Sequence, residues 1–111
     1  MNKHTQGPWV IDPASRNTAP EIIQAGTGRR VALALYAEGS ENASEAEANG
    51  NLIAAAPEML AALEKAAETL RANAHRFLLT GIKKYSGVAD YCWEQEREIR
   101  ALIAKATGAN P

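Results

Sequence analysis

Between Glu68 and Asp90 the chain carries no acidic residue. It does carry Arg71, His75, Arg76, Lys83 and Lys84, followed by Tyr85. Guanidinium and ammonium groups hold phosphate through charge-assisted hydrogen bonds, and an aromatic ring stacks on a nucleobase. If the segment stays helical, Arg76, Thr80 and Lys83 share one face at i, i+4 and i+7, and the Thr80 hydroxyl adds a donor. These residues make the first candidate ligand site. The alternative is an ordinary solvated basic face near a helix C-terminus, where cations suit the helix dipole.

Gly26-Thr27-Gly28-Arg29-Arg30 has the look of a phosphate loop. It lies between two strand-like segments, opens no helix and lacks the Lys-Ser/Thr of a P-loop, so a hairpin turn is the plainer reading. Arg29 and Arg30 stay candidates for a positive pocket shared across a subunit boundary. Cys92 is the only cysteine. It falls in a helical seam and reads as a buried, inert thiol, since His4 and His75 are both remote in sequence. Neither histidine has an acidic or cysteine partner at ligand spacing, so no metal site is expected. Tyr91 and Trp93 flank Cys92. Trp93 has Arg97 at i+4, so a cation–π contact is available, but packing on the sheet or on another subunit is the commoner use of such rings. Glu94, Glu96 and Glu98 alternate around a helix and do not converge, while Glu96 and Arg100 form an i, i+4 pair. No catalytic constellation emerges, and an enzyme is not expected.

The elements that must position these groups follow from periodicity. Ile53, Ala56, Leu60, Leu63, Ala67, Leu70, Ala74 and Phe77 recur at alternating steps of 3 and 4, the seam of a paired helix. Pro57 interrupts it, because proline lacks an N–H and disfavours α geometry in the residue before it. Either one helix is kinked at Pro57 or two helical segments meet at a bend; the second is the favoured reading, with the first segment ending near Ala56 and the next starting at Pro57 or Glu58. The second runs at least to Leu79, and Gly81 and Gly87 bracket a junction. A third helix is expected over Val88 to Thr107, with a seam of Val88, Cys92, Gln95, Ile99, Leu102 and Ala106, and with Gly108 as its C′ residue. Asn42 with Glu45, or Ser44 with Glu47, can cap the first helix. Upstream, Trp9-Val10-Ile11, Glu21 to Gln24 and Arg30 to Tyr36 read as strands. In the last of these, Val31, Leu33 and Leu35 lie on one face and Arg30, Ala32, Ala34 and Tyr36 on the other, and the apolar face needs a helix over it.

Some of these residues also carry a family resemblance. Gly7-Pro8-Trp9 near the N-terminus, then Asn49, Leu52, Ile53, Ala54, Ala55, Ala56, Pro57, Leu60, Ala62 and Leu63, spell G-P-W and N-x-x-L-I-A-A-A-P-x-x-L-x-A-L. This resembles a widespread group of small phage and prophage proteins. The Ile103-Ala104-Lys105-Ala106 ending is similar too, whereas Thr69 to Glu98 is idiosyncratic. Gly50 sits where the group usually has Ala, which weakens that helix slightly. The resemblance implies phage origin and little chemistry, because the group has no general assigned activity.

Composition sets the remaining bounds. At 111 residues one domain is expected, with a meander over 1–40 and a helical part over 41–111. Hydrophobic residues make up 46%, but 23 residues are Ala, so large apolar side chains are scarce for two long helices. Such a chain is expected to complete its core with a second copy. The formal net charge is −1, which predicts no global attraction to nucleic acid or to an anionic membrane. There is no apolar leader and no long apolar run, so a cytoplasmic location in the host cell is expected. The expected fold class is α+β: an N-terminal three-stranded antiparallel β-meander followed by three helices, the last two a long antiparallel helical hairpin.

The expected function is binding without catalysis and without a cofactor, in a homo-oligomer held by the hairpin. The phage resemblance makes counter-defence the first reading. In it the protein is a sponge for a nucleotide immune signal, a cyclic oligonucleotide or cyclic ADP-ribose isomer, held by Arg71, Arg76, Thr80, Lys83, Lys84, Tyr85, Arg29 and Arg30. One alternative is an anti-CRISPR-like inhibitor seated on a host defence protein. Another is a phage DNA-binding regulator, against which stand the net charge and the lack of a helix-turn-helix.

Overall fold

The computed structural model describes residues 4–15, 19–34 and 43–108. The chain divides between Met59 and Leu60 into two compact units. The sheet, the first helix and the opening turn of the second helix belong to the first unit, and the rest of the helical hairpin makes up the second.

In the first unit, strands β1 (Trp9–Ile11), β2 (Glu21–Gln24) and β3 (Arg30–Leu33) form an antiparallel sheet in the order β1-β2-β3. A short 3-10 turn, Pro13–Ser15, follows β1. There the Ser15 hydroxyl donates to the Asp12 carbonyl at 2.7 Å and accepts from the Glu21 N–H at 2.9 Å, fixing the entry to β2. Between β2 and β3 the chain reverses through Gly26 and Gly28, whose φ values of 89° and 73° lie in the region that favours glycine. The Gly28 N–H donates to the Gln24 carbonyl at 2.9 Å, as expected of a hairpin turn.

Helix α1 (Ala43–Ala54) packs against β1 and β2. Its contact face is made of small residues, Ala46 and Gly50, both buried. A Cβ on Gly50 would stand 3.2 Å from the Pro20 Cβ and 3.4 Å from the Ile11 Cδ1, so the glycine lets helix and sheet approach closely. That contact is the physical counterpart of the helix propensity lost at this position. Register places Ile11 opposite Ile22 and Ile22 opposite Ala32, so these three share the covered face with Ala34. Sequence alternation pointed instead to Val31, Leu33 and Leu35 as the apolar face needing a helix. Leu33 is 42% exposed and Ala34 is buried. The closely approaching helix selects the face with small side chains, and the irregularity between Ile22 and Ile23 skips Val31 and sets Arg30 opposite Ile23. Leu35, Tyr36 and the Asn42 cap lie outside the described residues.

Helix α1 ends at Ala54 and α2 (Ala56–Leu79) begins two residues later, with Pro57 as its second residue. The segments meet one to two residues earlier than proline position alone suggested. The Ala55 carbonyl accepts the Met59 N–H at 2.9 Å, so Ala55 starts the second segment and Pro57 occupies a first-turn position that needs no intrahelical donor. Pro57 also meets the N-terminal arm. A Cβ on Gly7 would stand 2.8 Å from the Pro57 Cβ.

In the second unit α2 and α3 (Ser86–Thr107) form the antiparallel hairpin, joined by Thr80 to Ile82 and a 3-10 turn, Lys83–Tyr85. His75 of α2 meets Trp93 of α3 edge-on, with ring centroids 5.1 Å apart. The α2 seam runs through Leu60, Leu63, Ala67, Leu70, Ala74 and Phe77 as the periodicity predicts, with Ala67 and Ala74 fully buried. The α3 seam differs. Val88 and Leu102 are exposed, and the buried positions are Ala89, Cys92 and Glu96, continued by half-buried Ile99 and Ile103. The inner face is thus turned by about one residue, with the Glu96 carboxylate buried at its border. Gly108 closes α3 in the left-handed region, as expected, with φ of 76°.

Candidate functional site

Helix α2 stops at Leu79 for a local reason. The Thr80 hydroxyl donates to the Phe77 carbonyl at 2.7 Å and accepts the Ile82 N–H at 3.2 Å, while Gly81 takes φ of 66°. The hydroxyl counted as a possible ligand donor is therefore engaged in ending the helix. Because the helix stops, the i, i+4, i+7 alignment of Arg76, Thr80 and Lys83 is not made. Arg76 lies in the last turn of α2, Lys83 and Lys84 lie on the 3-10 turn, and Arg71 sits about 12 Å of helix before Leu79.

What the hairpin tip does bring together is Lys83, Lys84, Tyr85 and Phe77. The Lys84 Nζ lies 5.2 Å from the Tyr85 ring centroid, within cation–π range. Tyr85 meets Phe77 with centroids 5.5 Å apart and planes tilted by 55°. Beside them a small hollow of about 200 Å³ is lined by Phe77, Leu78, Gly81, Ile82, Lys83 and Ser86. Leu79, 86% exposed, and Ile82 stand out at the same end, so the tip is apolar as well as basic.

Arg29 and Arg30 belong to the first unit. Arg30 pairs with Glu21 across β2 and β3, Nε to Oε1 at 3.0 Å. The hydrogen bond to Glu21, and then its charge, hold the guanidinium above its ordinary value. Arg29 is exposed in the turn, its N–H donating to the Thr27 hydroxyl at 3.3 Å. His4 contacts Trp9 in the first unit, while His75 contacts Trp93 in the second. Among the described residues no group of three His, Cys, Asp or Glu side chains converges as a metal site. Among them, too, no helix is long and apolar enough to cross a membrane.

A larger groove lies along α3. It has a volume of about 460 Å³ and is lined by Trp93, Glu96, Arg97, Arg100, Ala101 and Ala104. These positions follow i, i+3, i+4, i+7, i+8 and i+11, a single helix face. Sequence reasoning found the Trp93/Arg97 and Glu96/Arg100 pairs but did not join them. The joining signal is that both pairs continue into the small residues Ala101 and Ala104. Arg100 Nε stands 3.2 Å from Glu96 Oε2, close enough for an ion pair. Its N–H is not aligned to donate, and that buried oxygen has no hydrogen-bond partner in the structure.

No curated protein and no solved structure matches the chain. A family model described as Salmonella phage P22 protein Y8K6 matches residues 1–110. That span takes in both units, the tip and the groove, so the chain belongs to the phage P22 protein Y8K6 family.

Proposed function

We propose that this phage protein works by binding rather than catalysis, as a self-associating counter-defence sponge for a nucleotide immune signal. The phage family supports the setting. The observation that carries the chemistry is the hairpin tip, where Lys83, Lys84 and Tyr85 gather in a stretch that holds no carboxylate from Thr69 to Ala89. Arg76 lies nearby in sequence, in the last turn of α2. Cations at this end complement phosphate, and the ring pair of Phe77 and Tyr85 offers an apolar wall for a base. Titration calorimetry against cyclic oligonucleotides and cyclic ADP-ribose isomers tests it. Replacing Arg76, Lys83 or Lys84 by Ala should weaken binding by roughly ten- to a hundred-fold, since a hydrogen bond to a charged group contributes about 1.5–3 kcal/mol. The unfolding midpoint should hardly move, because exposed cations contribute little to folding. Ligand released by heat should be chemically intact.

A second reading rests on the exposed Leu78, Leu79 and Ile82 at the same tip. An inhibitor seated on a host defence protein would bury such a cluster, with Lys83 and Lys84 at its rim. That reading requires silence across the nucleotide panel and co-elution of a host protein, lost on Leu79→Asp.

A further inference from the structure

We infer that the groove on α3 is the docking face for a second copy of this chain, α3 against α3 around a two-fold axis. The inference rests on the self-association put forward above and names the surface that carries it. Three observations on the molecule converge. The first is the thin core of the hairpin unit: among the described residues its buried side chains are Ala67, Ala74, Ala89, Cys92 and Glu96, and the largest fully buried ones, Ile22 and Pro20, lie in the other unit. A unit of this size needs more apolar burial than small residues supply. The second is shape. Ala101 and Ala104 form a low floor beside the tall Trp93, so the Trp93 of one copy can lie over the Ala104 of another in an antiparallel helix pair.

The third is charge. The face holds both signs, Glu96 with Arg97 and Arg100, and is therefore complementary to itself under two-fold rotation. An antiparallel register that sets Trp93 over Ala104 also brings Glu96 close to Arg100 of the second copy. Glu96 is 8% exposed, and its Oε2 lies 3.2 Å from the Arg100 Nε of its own chain without hydrogen-bond geometry. Buried carboxylates are ordinarily hydrogen-bonded. A guanidinium arriving from the second copy lets the two Glu96–Arg100 pairs rearrange into a shared four-residue network.

The test is sedimentation equilibrium of the full chain at micromolar concentration, with Ala101→Arg and Leu79→Arg variants. Ala101 is exposed and arginine is a good helix former, so the fold should persist, as circular dichroism will verify. The expected result is a wild-type dimer, a dimer for Leu79→Arg, and weakening by about thirtyfold or more for Ala101→Arg, as for a hot-spot residue. In a Trp9→Phe background, Trp93 emission should shift to the red as the dimer dissociates. A dimer that survives Ala101→Arg with unchanged affinity overturns this face while leaving self-association standing. A wild-type monomer overturns self-association and the face together, and leaves nucleotide binding to be decided by calorimetry.

Discussion

Gly7 and Pro57 are far apart in sequence and adjacent in space. The gap between a Cβ built on Gly7 and the Pro57 Cβ is 2.8 Å, shorter than real Cβ contacts, and the obstacle is a rigid ring. Gly7→Ala should therefore lower stability by about 1–3 kcal/mol, the usual range for overpacking. Urea unfolding measures it. A gain in stability, as expected when glycine merely loses freedom in the unfolded chain, would refute the close contact. The contact supplies one physical link between the G-P-W start and the proline-bearing helix. The candidate site was only partly legible at this scale. The basic interval could be read directly, because charge is a property of single residues. What could not be read is that Thr80 uses its hydroxyl to end α2, since Thr is equally at home on a helix face and in a helix-ending turn.

The elements were legible where periodicity was strong. The seam positions of α2 from Leu60 to Phe77 are buried or half-buried, because a long run at steps of 3 and 4 leaves a helix few ways to face its partner. In α3 the apolar pattern is weaker, and Glu96 and Ala89 conceal the true seam: one looks like a surface residue, the other is too small to register. The same effect hides the covered face of the sheet, where Ala34 goes in and Leu33 stays out. Small residues mark close approach, and close approach is invisible to a scale that rewards bulk. Ala74, fully buried on α2, is the sharpest case. Ala74→Leu should force the two helices of the hairpin apart and cost about 1–3 kcal/mol or more, read as a lower urea midpoint. Pro57→Ala probes the junction of α1 and α2. Pro57 occupies a first-turn position, so the change in stability should stay below about 1 kcal/mol; a gain near ~3 kcal/mol would instead place Pro57 inside a continuous helix.

At the scale of the whole molecule, the division between Met59 and Leu60 could not be read from the sequence. The heptad-like seam runs straight through it, from Ile53 in α1 to Phe77 in α2, so nothing in the pattern marks a boundary. The two units also differ in how they are held. The first has Ile22 fully buried beneath α1, with Pro20 and Ile11 beside it. The second buries alanines and leaves Leu63, Leu70, Ile99 and Ile103 half-covered. Burying a large apolar side chain contributes roughly 1.5–3 kcal/mol, and the second unit realises only part of that for each residue. If a second copy docks on α3, stability must follow mass action. For a dimer that unfolds to monomers, a hundredfold rise in protein concentration adds about 2.7 kcal/mol per dimer, or roughly 1.4 kcal/mol per chain. For a protein of this size that corresponds to an increase of about 5–10 °C in Tm. Circular dichroism at 222 nm, which follows the helices, should show this increase across such a series in nucleotide-free buffer. The Ala101→Arg variant should show a flat, lower Tm over the same range. A wild-type Tm that does not move with concentration would mean that the hairpin is self-sufficient despite its small-residue core, and self-association would lose its energetic basis.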